Sequence, residues 1–357
     1  MPAPKKTSRR SQGAASRPKH ITLRVLADHL GLSTATVSLV LNRAALADSI
    51  PRGTQERIFT AAHELNYRPS FAARWARTQR SFTVGVLVPE VSEGYAALVM
   101  SGIEHHLLKE GYFYLVASHH HRADLVEEYP KLLMGRFVDG LIAVDTPWHH
   151  DLAIPVLTVS GHNPANGVSN ILLHHERAAE LALRHLQQLG HKRIAFIKGQ
   201  EFSSDTEVRW NSITETAARL GLRLYPKLTV QLEGELASPQ LGYRVTKRLL
   251  DRKERFTALF AFNDISAIGA IGALRDARLE VPRDVSVVGF DDIQSAAFQN
   301  PRLTTIRQPL KRMGTIAAET LLRRIARPED DSYAREIIVE PELVVRESTA
   351  RAPDSLP

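Results

Sequence analysis

Two kinds of hydrophobic periodicity divide the chain near residue 81. Before it, apolar residues recur every three or four positions. Leu23, Leu26 and Leu30 form one set; Val37, Val40 and Leu41 a second; Ile58, Ala61, Ala62 and Leu65 a third. Such spacing places each set on one helix face. It predicts three short helices over roughly Leu23–Leu30, Thr34–Asn42 and Arg52–Leu65. Asn66-Tyr67-Arg68-Pro69 ends the third, because the residue before a proline is pushed away from helix. Pro69 and Ser70 can then open a further short helix that ends in Gln79-Arg80-Ser81.

After Phe82 the runs become short, β-branched and apolar on both faces. They read "FTVGVLVPE", "YFYLVAS", "VDGLIAV", "IPVLTVSG", "RIAFIKG", "ALFAFND" and "VSVVGFDD". Each closes on a turn-forming or polar residue. Helical segments such as "AALVMSGIEHHLLKEGY", "ERAAELALRHLQQLG" and "ISAIGAIGALRDARL" lie between most of them. Strands buried on both faces and alternating with helices predict parallel sheet covered on both sides. Periodicity does not choose between one large sheet and two smaller ones.

The stretch "VLADHLGLSTATVSLVLN", Val25 to Asn42, joins the first two predicted helices through a short turn. Ser33 can cap the second helix, because its hydroxyl can accept from a free backbone N–H. Gly31 suits a positive φ in the turn, and Ala27 is small enough to let a second helix pass closely. Two short helices joined in this way form a helix-turn-helix, which lays its second helix in the major groove of DNA.

Charge sharpens that reading. Residues 1–81 carry 14 Lys+Arg against 4 Asp+Glu, and the remainder 32 against 35. The net of +7 therefore resides in the first quarter of the chain, as for a head that faces a polyanion. A solubilising basic tail is the plainer alternative. The composition, 43 % hydrophobic and 24 % charged over 357 residues, is that of a soluble protein of two or more domains. There are no cysteines, which excludes disulfides, thiolate metal sites and a cysteine nucleophile. The basic N-terminus lacks the apolar core of a secretory signal, and no apolar run spans a bilayer, so a cytoplasmic location is expected.

The motifs "LADHLGLSTATVSLVLN", "ELNYRPS", "VDGLIAV", "LGHKRIAFI", "NDISAIGAIGAL", "VPRDVSVVGFDD" and "LTTIRQPL" stand in one order from Ile21 to about Thr349. In this the chain resembles the LacI/GalR family of transcription regulators. The resemblance implies an all-α helix-turn-helix DNA-binding domain followed by an α/β two-lobed domain. That second domain would be like a periplasmic binding protein, with doubly wound parallel sheets. The expected organisation is a disordered basic tail (1–20), the DNA-binding domain (21–68), a hinge helix and linker (69–81), an effector-binding and dimerisation domain (82–350) and a disordered tail (351–357). Expected partners are a near-palindromic double-stranded DNA operator, a second copy of the chain and a small-molecule effector. No membrane partner is expected.

On the second helix, Thr34, Ala35, Ser38, Leu39 and Asn42 lie away from Val37 and Leu41, and the resemblance sends that face into the groove. Thr22, Ser33, Thr36 and Tyr67 are expected to join them at the DNA. The family usually carries arginine where Leu39 stands. Leucine cannot donate to guanine but can meet a thymine methyl, so an operator richer in A·T at that position is expected. Burial against a partner is the alternative. The family also carries a leucine wedge where Ala76 stands, and Ala76 is too short to kink DNA. Neighbouring Trp75 either takes that role or packs on the following domain. Arg74 and Arg77 are expected on phosphates, which position without specifying sequence.

In doubly wound sheets the ligand lies beyond the carboxyl ends of the strands. That rule nominates Glu90–Tyr95, Ser118–His121, Asp145–Thr146, Ser160–His162, Gln200–Asp205, Asn263-Asp264 and Asp291-Asp292. The resemblance places Arg209 at the ligand-clamping arginine, Asp291 and Asn263 at polar contacts, and Tyr95 and Phe260 at apolar or stacking walls. With Asp145, His119 and His162 from the loops, these make the expected effector site, suited to a sugar or nucleoside. "VSGHN" departs from the aspartate and arginine common there, so the effector itself stays open. Adjacent histidines such as His119-His120-His121 point apart, and no histidine pair at helical spacing comes with a carboxylate, so no metal or other cofactor is expected.

Two other functions compete with this reading. A solute-binding sensor without operator binding would have no use for the basic head. An enzyme is disfavoured: there is no P-loop, no G-x-S-x-G and no G-x-G-x-x-G after a strand. No catalytic residues are expected, since Asp291 and Asp292 are sequence neighbours, which rarely share a site.

Overall fold

The computed structural model describes residues 21–42, 44–67, 79–91, 94–162, 167–234, 238–330 and 332–354. It divides into two compact units, residues 1–81 and 82–357.

The first unit holds α1 (Leu23–Leu30), α2 (Thr34–Leu41) and α3 (Arg52–Glu64). Local chemistry sets each end. Thr22 caps α1 by accepting from the Val25 N–H, and Ser33 caps α2 by accepting from the Thr36 N–H at 3.0 Å. Gly31 ends α1 at φ 64°, left-handed backbone that glycine enters at little cost. A short 3-10 turn, Ala45–Ser49, precedes α3 where the apolar spacing predicts no element. Leu26, Ala27, Val37, Val40, Ile58 and Ala61 form the buried centre, so the helical stripes read from sequence are its core. The expected basic tail (1–20) lies outside the described residues. So does the hinge segment with Arg74, Trp75 and Arg77, apart from its last three residues.

The second unit contains two six-stranded sheets, so the open choice resolves to two. The strands are β1 (Thr83–Val88), β2 (Phe113–Ser118), β3 (Gly140–Val144), β4 (Val156–Val159), β5 (Val168–Leu173), β6 (Ile194–Lys198), β7 (Thr229–Gln231), β8 (Ala258–Ala261), β9 (Ser286–Asp291), β10 (Thr304–Arg307), β11 (Glu336–Val339) and β12 (Glu342–Val344). The first sheet runs β11-β5-β4-β3-β1-β2 and the second β12-β10-β9-β8-β6-β7. Every pairing is parallel except β10 with β12. Central strands β1, β3, β4, β8 and β9 are buried throughout. Among the predicted strands β2 departs furthest from burial. It lies at a sheet edge and leaves Phe113 63 % exposed.

The helices of this unit are α4 (Tyr95–Lys109), α5 (Ala123–Met134), α6 (His175–Gln188), α7 (Ser204–Arg219), α8 (Pro239–Asp251), α9 (Asp264–Asp276) and α10 (Leu310–Ala326). α4 and α10 pack through glycines: a Cβ on Gly102 would strike the Lys311 carbonyl, and one on Gly314 the Val99 carbonyl. The chain passes between the sheets three times, after β5, after β10 and between β11 and β12. His174 and Glu340 link the first and third passages with a 3.1 Å hydrogen bond. The segment from Arg351, expected as a loose tail, is tied down at Ala352, whose N–H donates to the Leu189 carbonyl at 2.8 Å. No helix among the described residues is long and apolar enough to cross a membrane.

Candidate functional site

On α2, Thr34, Ala35 and Asn42 are exposed, and Thr36, Ser38 and Leu39 are half-buried. Val37, Val40 and Leu41 pack the head's core, and Leu39 on the same helix stays half-buried. Asn42 Nδ2 donates to the Ser38 carbonyl at 2.6 Å and to Ser38 Oγ at 3.2 Å, which fixes its amide at the helix end. Ser33 Oγ and Thr36 Oγ1 share a 2.8 Å hydrogen bond. Tyr67 rests against the core of the head.

In the second unit a cavity of about 100 Å³ lies where the carboxyl ends of the two sheets meet. Tyr95, His121 and Asp145 line it from the first lobe. Gln200, Phe202, Asp205, Arg209, Phe262, Asn263 and Asp291 line it from the second. Several of its residues, or their neighbours, hold backbone that side chains rarely adopt: Asp145 (φ 41°), Ser160 (φ 56°), His162 (φ 46°) and Asp291 (φ 108°). Such strain gathers where a site requires it. The lobes touch across the cavity. Ser204 Oγ donates to Asp145 Oδ1 and to the Ser160 carbonyl, His162 Nε2 meets Asp205 Oδ1 at 2.5 Å, and the His121 ring lies over Phe202 at 3.9 Å.

Arg209 organises the second lobe's wall. It stands one turn after Asp205 on α7 and is 5 % exposed. Its Nη2 donates to Asp205 Oδ2 at 2.7 Å and its Nη1 to the Phe262 carbonyl at 2.5 Å. The guanidinium lies over Phe290 and Phe262, at 3.8 and 4.3 Å from the ring centres. A planar cation between two rings gains from their negative faces. Among the described residues its Nε has no hydrogen-bond partner, so donor capacity remains.

The carboxylates differ in charge state. Burial pushes Asp145 up to about 7, the charge of Asp205 adds to this, and the Ser204 hydroxyl offsets part. Burial also pushes Asp291 up to about 7, against the pull of Arg209 and the Gln308 amide, which donates at 2.7 Å. Asp205 shifts the other way. Burial opposes its charge, but His175, His162 and Arg209 hold it well below the usual range. Burial in turn lowers His175, against the pull of Asp205. Tyr95 donates to Ser160 Oγ at 2.8 Å, and its phenol is pushed well up, by burial first and then by nearby carboxylates.

Five of the eight sequence-nominated residues line the cavity: Tyr95, Asp145, Arg209, Asn263 and Asp291. Asn263 also caps α9, its Oδ1 accepting from the Ser266 N–H at 2.9 Å, so its amide nitrogen is what remains for a ligand. Three nominations are corrected. His119 is 1 % exposed and supports the loop from beneath, and His121 is the liner. The Nε2 of His119 meets Thr146 Oγ1 and its Nδ1 accepts from the His121 N–H, while burial and the neighbouring histidines lower it to about 4. Phe260 is buried within β8 between Phe196 and Phe290. The aromatic wall is Phe262, just past the strand's end, together with Phe202. His162 stands behind the wall on Asp205. Gln200, Phe202 and Asp205 also line the cavity, from a loop that the strand-end rule nominates only as a whole. Asp292 turns away to Arg307 and Arg346, so the adjacent aspartates do not form one site.

A helix-turn-helix head and a two-lobed core with a polar, aromatic cavity define a DNA-binding regulator governed by a small molecule. Comparisons agree. Residues 22–70 match the model of bacterial regulatory proteins of the lacI family, and residues 183–349 match the periplasmic binding protein-like domain. The chain is 31 % identical over 338 residues to the HTH-type transcriptional repressor PurR of Haemophilus influenzae, covering 92 % of this chain and 98 % of that one. It is 32 % identical over 337 residues to PurR of Aliivibrio fischeri, with the same coverage. Among solved structures, the lac repressor dimer bound to operator and the anti-inducer ONPF superposes with a TM-score of 0.80 at 26 % identity, over 93 % of this chain and 100 % of that one. A LacI-family regulator from Enterococcus faecium with bound ribose gives 0.67 at 28 % identity, over 76 % and 100 %. The chain belongs to the lacI family of bacterial regulatory proteins. It is a DNA-binding transcription regulator with an effector-binding core, not an enzyme.

Proposed function

We propose that the protein is a cytoplasmic repressor that binds a near-palindromic operator as a homodimer and changes its DNA affinity when a small polyhydroxylated molecule fills the cleft. The observation that carries this is the cavity wall: Arg209 over two aromatic rings, facing Asp145 and Asp291. A guanidinium fork and carboxylates suit vicinal hydroxyls, and flat rings suit the apolar face of a sugar or a base. Relatives solved with ribose and with cellobiose support a carbohydrate first and a nucleoside second. Cleft closure would work by population shift: an effector that binds the closed core more tightly draws the molecule into that state.

On the head, the readout is assigned to Thr34, Ala35, Ser38, Leu39 and Asn42, with Thr22, Ser33 and Thr36 at the backbone. The apolar Leu39 faces thymine. The hinge segment with Arg74, Trp75 and Arg77 completes the interface.

The test is a thermal-shift screen of monosaccharides, disaccharides, nucleosides and free bases in chelator, followed by operator-affinity measurements with each hit. Arg209→Lys keeps the charge beside Asp205 but loses the fork. The expected result is a hit that raises the wild-type melting temperature, changes operator affinity, and does neither in the variant. A hit that acts equally on both proteins would move the effector away from this cavity.

A further inference from the structure

Behind the cavity wall three side chains converge that the effector reading leaves unused in full. His162 follows β4 in the first lobe, His175 opens α6 at the first passage between the sheets, and Asp205 opens α7 in the second lobe. Their nearest side-chain nitrogens and oxygens all lie within 4.8 Å of one another. The geometry points to a site for one divalent transition-metal ion, Zn²⁺ by preference, bound by His162 Nε2, His175 Nε2 and Asp205 Oδ1.

Three observations carry it. His175 is only 5 % exposed, yet neither of its ring nitrogens has a hydrogen-bond partner among the described residues. A buried imidazole so placed loses its bonds to water without replacement. Its Nε2 lies 3.5 Å from Asp205 Oδ1. Metal–ligand bonds of about 2.1 Å in a tetrahedron set neighbouring donors about 3.4 Å apart. His175 thus already stands at that spacing. His162, at 2.5 Å, needs to retreat by less than an ångström.

Secondly, the two oxygens of Asp205 are divided. Arg209 holds Oδ2, and both histidines face Oδ1. A carboxylate fixed on its far side presents a single oriented donor, as bound ligands commonly do.

Thirdly, the donor set suits the metal: two imidazoles and one carboxylate fit Zn²⁺, whereas Mg²⁺ and Ca²⁺ favour all-oxygen shells. Because the three donors come from both lobes and the passage between them, the ion would hold the cleft closed. The chain pattern hides the site, since residues 162, 175 and 205 share no helix or strand.

The experiment is a titration of ZnCl₂ into the chelator-treated full-length protein, followed by calorimetry. Wild type is compared with His162→Gln, His175→Gln and the control His149→Gln, whose histidine lies outside the cluster. Co²⁺ substitution in wild type gives a second readout, in which an intense visible band marks tetrahedral coordination. The expected result is one Zn²⁺ per chain, affinity reduced by about tenfold or more in both cluster variants and unchanged in the control, and a tetrahedral Co²⁺ spectrum. No binding overturns the proposal. So does equal binding by all four proteins with a weak octahedral Co²⁺ spectrum, which would place the ion on surface histidines. If a cluster variant fails to fold, the wild-type stoichiometry and Co²⁺ spectrum decide. The effector screen is run in chelator, so failure here leaves that reading untouched.

Discussion

A single position along a strand separates a wall of the cleft from a piece of core. Phe260 and Phe262 share one face of the chain, but only Phe262 lies past the end of β8, where side chains leave the cover of the helices. The rule that ligands sit beyond strand ends contained this answer; the family position pointed two residues short. His119 and His121 repeat the lesson: the inner one is bonded on both ring nitrogens and the outer one faces the cavity. Arg209, Asp145 and Asp291 were legible because their chemistry is scarce and their places follow strand ends or a familiar motif. Asp205 was not. Its role depends on His162 and Arg209, which reach it from separate stretches of chain.

The raised Asp145 predicts a pH signature. A carboxyl near 7 in the folded core and near its ordinary value when unfolded keeps its proton only in the fold. Stability from this group is therefore present at low pH, falls as pH rises from about 4 to about 7, and is flat above. Buried histidines such as His119, lowered to about 4, act in the opposite sense below about 6.5. The clean comparison is between variants. Asp145→Asn should gain stability relative to wild type as pH climbs through this window, read as melting temperatures at matched ionic strength. A difference that does not change with pH would remove Asp145 from the raised state.

At the level of elements, the head was read almost residue by residue because its signals are local. Stripes, caps and a left-handed glycine all lie within a few residues of what they determine. Ser33→Ala should cost α2 about 1 kcal/mol, since both the Thr36 N–H and the Thr36 hydroxyl lose their partner. Amide exchange along α2 should quicken about fivefold, and unchanged exchange would refute the cap. The sheets were read less completely. Long apolar strands declared themselves, but β5, β7, β10, β11 and β12 did not. β7 and β12 have three residues each, β5 carries buried Ser169 and Asn170, and β10 opens with Thr304 and Thr305. Such strands are fixed by their neighbours in the sheet rather than by their own pattern.

At the level of the whole molecule, alternation predicted a covered parallel sheet but not the division into two. That division rests on where the chain crosses. Three passages place the effector cavity and the His162–Asp205 contact between the two lobes. The cleft is closed here by Ser204, His162 and the His121–Phe202 pair, and an effector must favour either that state or an open one in order to signal.

The central claim, that this head reads a specific operator with an altered recognition face, is tested most directly by selecting binding sites from a random DNA pool with the purified wild type and Leu39→Arg in parallel. The account predicts that wild type enriches a near-palindrome, and that the variant moves one base pair in each half-site toward G·C. Enrichment of one and the same sequence by both proteins would take Leu39 off the bases, and no enrichment by either would contradict the claim that the head reads DNA sequence.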